Sequence, residues 1–152
     1  FFCDALADVE RCKAAESRWH DMRVFGRFFN SVVEPLQELY ASGGTEAELR
    51  AGKRRILDLA AARFDDEVRP QLISGRYRAL DPDQMNNAWL LSRILYYTRL
   101  DDFETLYQSY PDLKSTVSAL IEEAEGGDPW EALDRLLEQA SFAPRAEVVD
   151  GD

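Results

Sequence analysis

The stretch Phe25-Gly26-Arg27-Phe28-Phe29-Asn30-Ser31-Val32-Val33-Glu34-Pro35-Leu36-Gln37-Glu38-Leu39-Tyr40 decides the fold class. Its apolar residues fall at Phe25, Phe28, Phe29, Val32, Val33, Leu36, Leu39 and Tyr40. Those spacings of three and four place every one of them on one face of a helix, the signature of a rod packed against a core. The pattern runs on through Pro35, which predicts a kink at that point rather than a break. Leu6, Val9 and Cys12 extend the same rod towards the N-terminus, and Gly43-Gly44 ends it.

Working outward, the sequence continues as helices with short punctuation. Thr45-Glu46-Ala47-Glu48 is a capping box that opens a second helix carrying Leu49, Ile56, Leu59, Ala60 and Phe64, closed by Pro70. Residues 71–80 form a loop. Asp81-Pro82 gives an N-cap followed by proline at the first helical position, which starts a third helix running to about Arg99. Trp89, Leu90, Leu91, Ile94, Leu95, Tyr96 and Tyr97 cover nearly its whole circumference, so it is expected in the middle of a bundle. Asp101 opens a short fourth helix, Pro111 a fifth and Asp128-Pro129 a sixth. The fold class is therefore all-α, an irregular bundle of about six helices with a buried central helix around residues 82–99. One helical domain is expected over 1–142, followed by a flexible acidic tail over 143–152.

The 152 residues carry a formal net charge of −11. Nucleic-acid binding by counterion release needs clustered Lys and Arg, which are too few here, and an anionic membrane surface would repel the chain. No apolar run approaches the roughly 20 residues of a membrane helix. These residues show no basic, then apolar, then small-residue pattern, and the opening Phe1-Phe2-Cys3 leads to the expectation of a chain cut from something longer. Cys3 and Cys12 are the two cysteines. On one continuous helix they would lie about 13 Å apart on opposite sides, beyond the reach of a disulfide, so free thiols are expected.

Residues able to do chemistry are sparse. Zinc peptidases need two histidines one helical turn apart with a glutamate between them. The chain has one histidine, His20, so no metal site is expected in it. A thiol nucleophile has no base beside it, and the acidic clusters are expected to be solvated faces or caps. The pair Asn86-Asn87, at the start of the apolar third helix, stands out. Buried amides need partners, because leaving one unpaired costs about 1–3 kcal/mol. Either the two tie the helix to its neighbours, or one of them faces a substrate cleft.

Asn86-Asn87-Ala88, then Leu90, Tyr96 and Phe103, resemble the C-terminal signature of the bacterial predicted aminopeptidase family. Leu36-Gln37-Glu38-Leu39-Tyr40-Ala41-Ser42-Gly43 is similar to that family's Leu-x-x-Leu-Tyr-Ala-Ser-Gly segment, and the charged helix from Thr45 through Lys53-Arg54-Arg55 is similar as well. The resemblance spans roughly Phe1 to Gln139. Where the family carries a proline two residues before the Phe, this chain has Asp101, which also suits a helix start.

The resemblance implies a zinc-dependent aminopeptidase acting on peptides. Its His-Glu-x-x-His helix and third zinc ligand would lie N-terminal to the residues present here. On this reading the chain is the C-terminal helical part, inactive alone, and its first partner is the missing N-terminal metallopeptidase half. Zinc is then a cofactor of the full-length protein and not of this chain. Tyr96 becomes a candidate hydrogen-bond donor to the tetrahedral oxyanion, and Asn86 and Asn87 become candidates for substrate binding. On an ideal helix Tyr96 shares a stripe with Met85, Trp89 and Ser92, whereas Asn86 shares one with Arg93 and Tyr97, so the three need not form one site. Periplasmic or membrane-anchored placement would come from the missing part. The alternative is a free-standing acidic helical module that binds a protein partner.

Overall fold

The computed structural model describes residues 8–77 and 80–142, with the side chain of Phe142 left aside. Phe1, Phe2, Cys3, Leu6 and the expected tail over 143–152 lie outside the described residues. Among the described residues the fold is all-α, with six α-helices and no strand. They are α1 (Val9–Ala41), α2 (Glu46–Arg63), α3 (Asn87–Tyr97), α4 (Leu100–Gln108), α5 (Leu113–Ala124) and α6 (Pro129–Phe142). The contacts divide the chain into two compact units, one up to Leu100 and one from Asp101.

In the first unit α1 is the spine. Its 33 residues run unbroken through Pro35, and its buried positions Val24, Phe25, Phe28, Phe29, Val32 and Leu36 follow the periodicity of the quoted stretch. Asp8 caps the helix by accepting from the Arg11 amide at 3.0 Å. Because α1 begins at Val9, the helical spacing assumed between positions 3 and 12 does not apply. Cys12 is disulfide-bonded rather than a free thiol, which corrects that expectation.

The capping box forms as read. The Glu48 amide donates to Thr45 Oγ1 at 3.3 Å, and the Thr45 amide donates to Glu48 Oε2 at 2.8 Å. Helix α2 turns most of the expected stripe inward: Ala60 and Phe64 are buried and Ile56 packs on the core, but Leu57 is buried in place of the expected Leu59, and Leu59 is 61% exposed. Its C-terminal end widens into a π-turn (Phe64–Val68) and tightens into a 3-10 turn holding Pro70. That detour brings both Phe64 and Val68 into the core beside Phe25 and Phe28.

Helix α3 starts later than expected. The Asp81 carboxylate accepts from the Asp83 amide two residues on, at 3.0 Å, so Asp81-Pro82 makes a side-chain-capped turn instead of a helix start. The N-cap is Asn86, whose side chain accepts from the Trp89 amide at 2.9 Å. Nor is α3 buried all round. Leu90 and Tyr97 are buried and Trp89 and Ile94 pack on the core, while Leu91 (65%), Leu95 (74%) and Tyr96 (65%) are exposed. Its C-terminal end lies close against α1: a Cβ on Gly26 would sit 3.0 Å from the Tyr97 carbonyl oxygen. The absence of a side chain at Gly26 is what permits that approach.

The second unit has its own small core. Leu106, Leu133 and Leu136 are buried at its centre, with Phe103, Tyr110, Ala119, Leu120 and Leu137 around them. Helix α5 is capped by Asp112, which accepts from the Ser115 amide at 2.7 Å, so Asp112 rather than Pro111 supplies the start signal. Helix α6 uses Asp128 as read, accepting from the amides of Trp130 (2.8 Å) and Glu131 (3.1 Å). Arg135 of α6 reaches Glu123 of α5 at 2.5 Å.

Candidate functional site

Helices α1 and α3 pack in the first unit and leave a groove between them. Val33, Leu36, Gln37 and Tyr40 line it from α1, and Asn87, Leu90, Leu91 and Ile94 from α3. Both sets repeat the spacing i, i+3, i+4, i+7, so each helix contributes two adjacent turns of one face. The groove measures about 260 Å³ and is lined chiefly by carbon. Residues from the two segments singled out in the sequence, Leu36-Gln37…Tyr40 and Asn87…Leu90, meet here although about fifty positions separate them.

The three candidate site residues have separate fates. Asn86 is exposed and spends its side-chain oxygen on the N-cap bond. Asn87 is exposed at the rim of the groove, and its Oδ1 accepts from Lys53 Nζ of α2 at 2.5 Å. The two amides therefore have partners, but neither is buried. Tyr96 does not line the groove; it is exposed on the outward side of α3, as is Leu95. The structure thus brings Asn87 into the groove and leaves Asn86 and Tyr96 outside it.

The buried tyrosine of α3 is Tyr97, one residue on. Its hydroxyl lies 2.8 Å from that of Tyr77, and its ring meets Phe25 edge-on at 5.0 Å. Tyr77 in turn stacks on Phe25 at 4.5 Å. Burial first, and then the bond to Tyr97, pushes the Tyr77 phenol well above its ordinary range, so it stays neutral. This aromatic cluster fixes the rotation of α3 about its axis. The rotation decides that Leu90 and Ile94 face α1 while Leu95 and Tyr96 face outward.

One residue outside the sequence-derived candidates controls the arrangement. Asp21 is fully buried, and its carboxylate accepts from the Ile73 amide (2.8 Å), the Ser74 amide (2.9 Å) and the Ser74 hydroxyl (2.6 Å). Burial alone would raise its pKa. The Ser74 hydroxyl, the two amides and the neighbouring His20 outweigh that and hold it below the usual carboxylate value. Asp21 thereby pins the loop that carries Tyr77. A signal existed in the sequence: Asp21 precedes Phe25, Phe28 and Val32 at helical spacing, so it sits on the apolar stripe. His20, on the neighbouring face, is exposed and bonds the Gln71 carbonyl oxygen at 3.1 Å.

No group of three or more His, Cys, Asp or Glu that could hold a metal ion occurs among the described residues. Nor is any helix among them long and apolar enough to cross a membrane. What the site offers is an all-helical wall: an apolar groove with an amide at its rim, beside an uncovered apolar helix face. Compared with family models, residues 2–127 match the family described as putative aminopeptidase. The chain belongs to that family, and its function is aminopeptidase-related. Comparison with the curated proteins and with the solved structures gives no match.

Proposed function

We propose that this chain is the C-terminal helical part of a zinc-dependent aminopeptidase and forms a wall of the substrate cleft, with the metal centre supplied by polypeptide outside these residues. The observation that carries this reading is the one-sided burial of α3. A largely apolar helix, with Leu91 exposed in the groove and Leu95 and Tyr96 exposed beside it, suits a surface made to be covered. Family membership supports the reaction class proposed, removal of an N-terminal residue from a peptide.

Zinc, which this reading implies, does not fit the residues present. The chain has one imidazole, and a catalytic zinc takes three protein ligands with a nearby general base. The roles left to this chain are contact and positioning. The groove would take apolar surface, and Asn87, held by Lys53, would present its amide at the rim. Tyr96, exposed on the uncovered face, is available as a phenol donor to an oxyanion formed in the adjoining cleft.

The test is hydrolysis of amino-acid p-nitroanilides in the presence of zinc. The purified chain should give no turnover. A polypeptide that joins it to a His-Glu-x-x-His segment of the family should be active, and Tyr96→Phe in that polypeptide should lower kcat by about 10²-fold with little change in KM. Metal-dependent turnover by the chain alone, surviving repurification, would overturn the proposal.

A further inference from the structure

The net charge is not shared between the two units. Residues 1–100 hold 15 acidic and 15 basic side chains, while residues 101–152 hold 14 acidic and 3 basic, so the whole −11 belongs to the second unit. On α5 of that unit, Leu113 (50%), Val117 (44%) and Ile121 (67%) are exposed. They stand at i, i+4 and i+8, one continuous stripe. The adjoining side of the same helix faces the core: Thr116 is buried, Ala119 and Leu120 pack on the Leu106–Leu133–Leu136 cluster, and Glu123 pairs with Arg135. The stripe is therefore surplus to the packing of the unit. Glu125 lies one turn beyond Ile121, and Asp112 directly precedes Leu113, so both ends of the stripe are acidic.

An apolar helix stripe in a strongly acidic field selects for apolar residues carried on a cationic scaffold. We infer that the Leu113–Val117–Ile121 face of α5 docks a basic amphipathic helix of a partner protein. The stripe would take the partner's apolar side chains helix face to helix face. The surrounding carboxylates would speed encounter and reject acidic competitors. This inference is independent of the zinc chemistry proposed above, because it rests on the second unit alone.

The test is calorimetric titration of the full chain with a synthetic helix of leucines at i, i+3, i+4, i+7 and lysines elsewhere. A matched peptide with glutamate for lysine, and a scrambled peptide of the same composition, serve as controls. The lysine peptide should bind and neither control should. The double variant Val117→Ser/Ile121→Ser, which leaves charge unchanged and alters only exposed positions, should weaken binding at least about tenfold. Leu91→Ser, in the first unit, should not weaken it. Raising salt from about 0.05 M to about 0.5 M should also cost at least about tenfold. Circular dichroism checks that each variant stays folded. The inference is overturned if the lysine peptide fails to bind, or if the scrambled peptide binds equally. It is also overturned if the double variant binds like the parent, which would mean a diffuse charge effect only.

Discussion

Replacing Asp21 with alanine should loosen the first unit more than any surface change, and the size of the effect can be worked from its bonds. The carboxylate accepts three hydrogen bonds at 2.6–2.9 Å and is wholly shielded from solvent. Hydrogen bonds to a charged group contribute about 1.5–3 kcal/mol each, so three would sum to roughly 5–9 kcal/mol if their donors were left dry. Ile73 and Ser74 are exposed, however, so their amides and the hydroxyl regain water once the carboxylate is gone. That reduces the expected loss to about 2–4 kcal/mol. In urea unfolding followed by tryptophan fluorescence the midpoint should fall by about 1–2 M with little change in slope. The pH dependence has a definite sign. The folded-state pKa of Asp21 is depressed, so its contribution is present above the unfolded value of about 3.9 and is lost as pH falls through the folded value. Asp21→Asn should remove that acid-dependent component and leave the rest of the pH profile intact. An alanine variant within about 0.5 kcal/mol of the parent at neutral pH would refute the reasoning, because it would mean the loop is held by Tyr77 alone.

Three other substitutions probe separate parts of the account. Gly26→Val should destabilise by about 2–4 kcal/mol in the same urea assay, because the new side chain meets the Tyr97 backbone, which cannot rotate away. Thr45→Ala should cost about 1 kcal/mol, read as a lower thermal midpoint, because the Glu48 amide loses its acceptor Oγ1 while the Thr45 backbone amide keeps its bond to the Glu48 carboxylate. Leu91→Glu/Leu95→Glu should leave the stability of this chain within about 0.5 kcal/mol, since both side chains already face water. The same pair, placed in an active aminopeptidase containing this part, should abolish or strongly reduce turnover.

The spine was legible because its signal is long: from Phe25 to Leu36 each apolar position of the run that repeats at helical spacing bears on one core. The capping box at Thr45 and the Asp128-Pro129 start were legible for the opposite reason, being local chemistry that tertiary context rarely overrides. The start of α3 was not, because Asp81 can cap a two-residue turn as well as a helix, and the sequence does not say which amide reaches it first. In α2 Leu57 lies within about 60° of Ala60 and Phe64 around the helix axis, whereas Leu59 lies about 100° or more from both, so Leu57 is buried and Leu59 exposed. Circumferential hydrophobicity in α3 predicted a helix buried on all sides, but its C-terminal half buries one side only, because α1 packs on that side and Leu91, Leu95 and Tyr96 stay exposed. Of the candidate site, Asn87 reached the groove and Tyr96 the uncovered face. Asp21 was missed because a lone acid on an apolar stripe looks like a surface residue until its donors, fifty positions away, are in view.

The most direct measurement is zinc content after equilibrium dialysis of the purified chain at neutral pH, with His20→Ala alongside. With one imidazole in the chain, the account predicts no stoichiometric zinc in either protein. A tightly held, stoichiometric zinc that disappears in the His20→Ala variant would place the metal centre in this chain and contradict the account.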